Sequence, residues 1–107
     1  MWFVFPQVAG LGRSETARFY AIAGPEEARA YLAHPVLGPR LGEATAALLP
    51  HAGRGAEAIL GGIDAVKLRS SLTLFLAAGA GGPLPEALDA FFGGRRDPET
   101  LRLLERA

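Results

Sequence analysis

The segment IDAVKLRSSLTLFLAA, residues 63–78, has the strongest helical pattern in the chain. Apolar side chains recur in it every three or four positions, the spacing of one helix face. Asp64 lies near the start, where a carboxylate interacts favourably with the positive end of the helix dipole. The apolar stripe consists of Leu68, Leu72, Phe75 and Leu76, widened by Val66 and Leu74. A stripe this wide predicts a central helix that packs against neighbours on more than one side.

Shorter helices are predicted on both sides of this segment, each bounded by Pro, Gly or a capping residue. Pro25 fits the first position of a helix over 25–33, and the His34-Pro35 pair interrupts that helix. A proline in the first turn delays the next regular helix to about Pro39. The other predicted helices cover residues 15–20, 39–49, 84–92 and a terminal segment that begins with Asp97-Pro98-Glu99. Residues 57–60 are predicted to form one short helical turn.

These elements indicate an all-α, mainly helical protein. We expect a single domain over residues 1–107, with five or six short helices packed irregularly and orthogonally. Residues 1–5 are partly aromatic or β-branched, and they favour a short extended segment at the N-terminus. A helix starting at that point is the alternative.

Composition excludes several classes of function. The 11 basic and 11 acidic residues cancel, so no positive field favours nucleic acid or an anionic membrane. No apolar run approaches the roughly 20 residues that span a bilayer. The chain has no cysteine, and His34 and His51 lie in different connections without clustered carboxylates. We therefore expect a cytoplasmic protein with no metal site and no cofactor.

A polar stripe crosses the otherwise apolar central helix. Asp64, Lys67 and Ser71 are spaced i, i+3 and i+7, which places them on one helix face, and Ser70 lies beside them. A lysine near hydroxyls binds phosphate or carboxylate, or acts as a base when desolvated. The alternative is an Asp64–Lys67 ion pair with serines bonded locally. A Ser–Lys nucleophile is disfavoured because Lys67-x-x-Ser70 reverses the usual order.

Four further residues are candidates for a ligand site. Trp2, Gln7 and His34 have polar tips near the ends of predicted elements. Ser14 ends the loop GLGRS (residues 10–14) and caps the predicted helix 15–20, an arrangement that binds anions. The third glycine of a dinucleotide fingerprint is missing, so a tight turn is the alternative. For His34 the alternative is a capping or half-exposed residue.

Three segments in fixed order carry a family resemblance: WFVFPQ (2–7) followed by GLGRS (10–14), YLAHPVLG (31–38), and KLRSSLTLF (67–75). With them, the chain resembles the bacterial family catalogued as domain of unknown function 1810, sometimes labelled calpastatin-like. The closing Phe91-Phe92-Gly93-Gly94, Asp97 and Thr100-Leu101 are similar to that family's tail. The resemblance implies a bacterial protein of uncharacterised function.

The chain departs from the family pattern at its start. Members of the family usually carry one further helix and a basic segment before the tryptophan that corresponds to Trp2. If that helix covers part of the core, its absence exposes apolar surface. We therefore expect either lower stability or self-association that hides that surface.

Two functions fit these observations. The first is a small-ligand or anion-binding domain that acts on a phosphorylated or nucleotide-like metabolite. The second is a non-enzymatic protein–protein interaction module. The sequence leaves open whether the domain is an enzyme. The first function predicts that Trp2, Gln7, His34, Lys67 and Ser71 line one pocket.

Overall fold

The described part of the chain is mainly helical and belongs to the all-α class, as the sequence predicts. The structure is a computed structural model that describes residues 5–11 and 21–106. Within these ranges the α-helices are α1 (Pro25–Ala33), α2 (Leu37–Leu48), α3 (Ala56–Leu60), α4 (Gly62–Ala77), α5 (Pro83–Phe92) and α6 (Pro98–Arg106). A 3₁₀ helix, Leu49–Arg54, follows α2 directly.

Helix α4 is the centre of the fold. It packs against α1, α3, α5 and α6. Leu68, Leu72, Leu74 and Phe75 are 0% exposed, which confirms the prediction of a central helix. Val66, however, is 62% exposed, so the prediction that it belongs to the core stripe is wrong. It lines an open cleft that reaches from α3 to the end of α5.

Helix α2 begins two residues earlier than the sequence predicts. Its first residue is Leu37, and Pro39 lies in its first turn. The first N–H groups of a helix have no intrahelical acceptor, so a proline there removes no hydrogen bond. The first intrahelical bond runs from the Arg40 N–H to the Val36 carbonyl, at 3.1 Å. A proline therefore delays a helix less than the sequence argument assumes.

An extended segment precedes α1. Phe5 and Val8 are buried, and Val8 forms an isolated parallel bridge with Ile22. The Ile22 N–H donates to the Gln7 carbonyl at 2.8 Å, and the Ala9 N–H donates to the Ile22 carbonyl at 2.7 Å. Of the extended segment that was predicted for residues 1–5, only Phe5 is described, and the extended backbone seen here lies mainly beyond it. Residues 1–4 and the predicted helix 15–20 lie outside the described residues.

An aromatic contact joins α1 to α4. The rings of Tyr31 and Phe75 lie 5.0 Å apart between centroids, within the range of favourable aromatic pairs. Burial raises the pKa of the Tyr31 phenol above its ordinary value of 10.0, and the charge of Arg40 acts in the opposite direction. Because the raised pKa belongs to the folded state, Tyr31 contributes stability below pH 10 and loses it as pH rises further.

Candidate functional site

Lys67 is partly withdrawn from water on the face of α4 that also carries Asp64. Its side chain is 19% exposed, against 42% for Asp64, and its Nζ lies 3.7 Å from Asp64 Oδ1. This distance is longer than a hydrogen bond, so the pair interacts mainly through charge. The i, i+3 pair expected from the sequence is present.

Ser71 lies one helical turn after Lys67, on the same face of α4. It is 0% exposed. Of the buried side-chain oxygen and nitrogen atoms in the described residues, only its Oγ lacks a hydrogen-bond partner. An unsatisfied buried hydroxyl costs about 1–3 kcal/mol, and native proteins contain few of them. This oxygen is therefore the polar group of α4 that the fold itself leaves unused.

Ser70 has a different environment from Ser71. Its Oγ donates to the Val66 carbonyl at 3.0 Å and lies 3.5 Å from Asp97 Oδ2. Thr73, one turn further along, accepts a bond from the Asp97 N–H at 2.8 Å and donates to the Arg69 carbonyl at 2.8 Å. Both hydroxyls are thus used to attach α4 to the start of α6.

The loop before α6 is fixed by the same face of α4. Arg69 donates from Nε to the Arg95 carbonyl at 2.8 Å and from Nη2 to the Arg96 carbonyl at 2.9 Å. Asp97 Oδ2 then accepts from the Thr100 N–H at 2.9 Å and from its hydroxyl at 2.6 Å. This is the capped helix start that the sequence predicts. The roles of Arg69 and Thr100 were not predicted. The carbonyl partners of Arg69 lie 26 and 27 residues away along the chain, and Thr100 lies in a helix start for which only the cap by Asp97 was considered.

The other candidate residues are placed as follows. Gln7 is 7% exposed and lies on the extended segment beside Ile22. His34 is exposed, and its Nδ1 accepts bonds from the Val36 N–H at 3.1 Å and the Leu37 N–H at 3.2 Å. His34 therefore caps the start of α2 by accepting from two backbone amides, which agrees with the capping alternative. Trp2 and Ser14 lie outside the described residues.

The structure thus separates the serines that the sequence grouped together. Lys67 and Ser71 share one face of α4, Ser70 faces Asp97, and His34 is used by α2. Within residues 5–11 and 21–106, no group of three or more His, Asp or Glu side chains is arranged to hold a metal ion. In the same ranges, none of the helices has the length and apolar character needed to cross a membrane.

The fold and this site define a small helical domain with a partly buried lysine and an unpartnered serine on its central helix. Residues 1–104 match the family model described as Protein of unknown function (DUF1810), so the chain belongs to that family. The resemblance seen in the sequence segments is confirmed.

A solved structure is similar to this chain over nearly its whole length. It is the crystal structure of the conserved hypothetical protein Rv1873 from Mycobacterium tuberculosis, which is 46% identical, with a TM-score of 0.92. The similarity covers 97% of this chain and 75% of that one. No curated protein matches the chain. These comparisons establish the family and the fold, and they assign no reaction.

The two adjacent serines give a direct test of the unpartnered hydroxyl. Ser71→Ala removes an oxygen that makes no hydrogen bond, so we expect the free energy of unfolding to rise by about 1 kcal/mol. Ser70→Ala removes a bonded hydroxyl and is expected to lower it by about 1 kcal/mol. Both changes alter helix propensity equally, so the comparison isolates the hydrogen bond. Urea unfolding measures both values, and equal effects would contradict the assignment.

Proposed function

We propose that this chain is a small-ligand-binding domain that takes an anionic metabolite, phosphorylated or nucleotide-like, at the α4 face bearing Lys67 and Ser71. The observation that carries the proposal is the buried Ser71 hydroxyl, which has no partner in the described residues although Lys67 lies one turn away. Functional sites commonly retain groups that cost stability in the unbound protein.

The chemistry of the two side chains suits an anion. A phosphate or carboxylate oxygen accepts from the Ser71 hydroxyl and also attracts the Lys67 ammonium, so one ligand group contacts both. Asp64 partly neutralises Lys67, but it is the more exposed member of the pair and its interaction is better screened by water. Lysine is also a common binder of phosphate as a point charge.

Access to the site is coupled to a rearrangement. Because Ser71 is 0% exposed, a ligand reaches its hydroxyl only when the side chains over it move. The binding-competent state is then a minor one, and the apparent affinity is reduced by its population. Ser71→Ala is expected to weaken binding even though it stabilises the unbound protein.

A thermal-shift screen tests the proposal. The panel consists of inorganic phosphate, ribose 5-phosphate, AMP, ADP and ADP-ribose, each titrated against the whole chain. A ligand at 100 times its dissociation constant adds about 2.7 kcal/mol to the free energy of unfolding, which is easily measured as a rise in Tm. We expect at least one member to raise Tm in the native chain, and Lys67→Met to lose most of that rise.

Arg102→Met is the matched control. Arg102 pairs with Glu99 at the same i, i+3 spacing as Lys67 with Asp64, but both members of that pair are about half exposed. The substitution therefore removes one ion-paired cation without touching α4, and it should leave the shift unchanged. Equal losses in both variants, or no shift with any compound, would contradict the proposal. Chromatography of the incubated ligand then shows whether it is only bound or also converted.

A protein–protein interaction module is the second candidate function. It is favoured by the exposure of large apolar side chains on α4, Ile63 at 75% and Val66 at 62%. If no compound of the metabolite panel raises Tm, this second function is favoured further.

A further inference from the structure

Val66, an exposed apolar side chain of α4, lines a groove on a different side of the helix from Lys67. Val66 and Arg69 line this groove, whereas Lys67 and Ser71 lie roughly 100–160° away around the helix. The groove therefore belongs to a different surface from the proposed metabolite site. Its properties do not depend on that proposal.

The groove consists of two adjoining clefts, of about 620 Å³ and about 460 Å³. Both are lined by Arg69, Phe91 and Phe92, which makes them continuous. The larger cleft extends past Val66 to Arg54, and the smaller one extends past Gly93 to the loop that precedes α6. The two phenylalanines are half-buried, and their ring centroids lie 6.3 Å apart. The floor of the groove is thus aromatic and in reach of solvent.

Positive charge is spaced along the whole groove. Arg54 lines the larger cleft, Arg69 lies at the junction, and Arg95 lines the smaller cleft. Glu57 is the one acidic side chain among the residues that line either cleft. Since the whole chain has zero net charge, this excess of cations is a local property.

The central cation is also held in place. The guanidinium of Arg69 is fixed by two hydrogen bonds, from Nε to the Arg95 carbonyl and from Nη2 to the Arg96 carbonyl. Its Nη1 takes part in neither of these bonds. A guanidinium that is already ordered loses little conformational entropy when it binds a carboxylate.

From these features we infer that the groove binds an acidic peptide segment of another protein, one that alternates carboxylates with bulky apolar side chains. The apolar side chains pack on Phe91, Phe92 and Val66, and the carboxylates pair with the three arginines. A nucleic acid fits less well, because its phosphates offer no partner to the exposed side chain of Val66.

Fluorescence anisotropy tests the inference with a short fluorescein-labelled peptide in which Glu and Asp alternate with Leu and Phe. We expect this peptide to bind the whole chain, and the same peptide with Gln and Asn at the acidic positions to bind at least tenfold more weakly. Arg54→Glu and Arg95→Glu should each weaken binding about tenfold, since each reverses one exposed charge. Val66→Ser should weaken it through the loss of apolar contact.

Two controls separate this surface from the others. Arg29→Glu reverses an exposed charge at a different cleft on α1, and Lys67→Met alters the proposed metabolite site. Both should leave peptide binding unchanged. Equal affinity of the acidic and amide peptides, or equal weakening by Arg29→Glu, would overturn the inference. So would concentration-dependent dimerisation of the native chain in sedimentation experiments that Val66→Ser abolishes, because the groove would then bind a second copy.

Discussion

Phe75→Ala is expected to lower the free energy of unfolding by about 3–5 kcal/mol, the usual cost of removing a buried aromatic side chain. Phe75 is 0% exposed at the middle of the core, and its ring contacts that of Tyr31 on α1. The substitution leaves a cavity where α4 meets its neighbours, and the surrounding helices close it only in part. Domains of this size are stable by about 5–15 kcal/mol, so the substitution removes a large part of that stability.

Urea unfolding followed by circular dichroism measures this effect. Phe75→Leu provides a second measurement if Phe75→Ala does not fold. We expect it to lower the free energy of unfolding by about 1–1.5 kcal/mol. The exposed Val66→Ser on the same helix should change stability by less than about 0.5 kcal/mol. A loss below about 1 kcal/mol for Phe75→Ala would show that α4 is not the centre of the core.

Gly38→Ala is expected to destabilise the protein by about 3 kcal/mol through overpacking at a backbone contact. A Cβ built on Gly38 would lie 2.2 Å from the Leu32 carbonyl oxygen and 3.0 Å from its carbon. Both atoms are backbone, so the end of α1 has to move away from the start of α2. The glycine in YLAHPVLG is thus explained by the close approach of the two helices, and not by an unusual φ angle.

Gly42→Ala is the matched control within the same helix. A Cβ at Gly42 meets no atom within 4 Å, so the substitution adds only helix propensity. We expect it to raise the free energy of unfolding by about 0.5–1 kcal/mol. Differential scanning calorimetry should therefore show Tm changes of opposite sign for two identical substitutions four positions apart. A rise in Tm for Gly38→Ala would contradict the contact between α1 and α2.

For the described residues, the α-helices, their order and most of their bounds could be predicted from the sequence. Pro25, the Asp97-Pro98 pair and Gly61 act through local backbone geometry and capping, so their effect is visible in a few consecutive residues. The predicted start of α2 was wrong, because a proline in the first turn, such as Pro39, does not delay the helix. The family was also recognised from the order of short segments.

The environments of the residues on α4 depend on tertiary packing and could not be predicted from the sequence. In the sequence, Ser70 and Ser71 are adjacent and chemically identical, and Val66 continues an apolar stripe. Their environments are set by α6, α3 and α5, which are distant along the chain, because Asp97 approaches Ser70 and an open groove borders Val66. No periodicity in α4 encodes which neighbour covers which side. Of the two serines in the polar stripe predicted for the central helix, Ser70 is hydrogen-bonded within the fold, whereas Ser71 has no partner. Lys67 and Ser71 are therefore the members of the stripe that form the proposed ligand site.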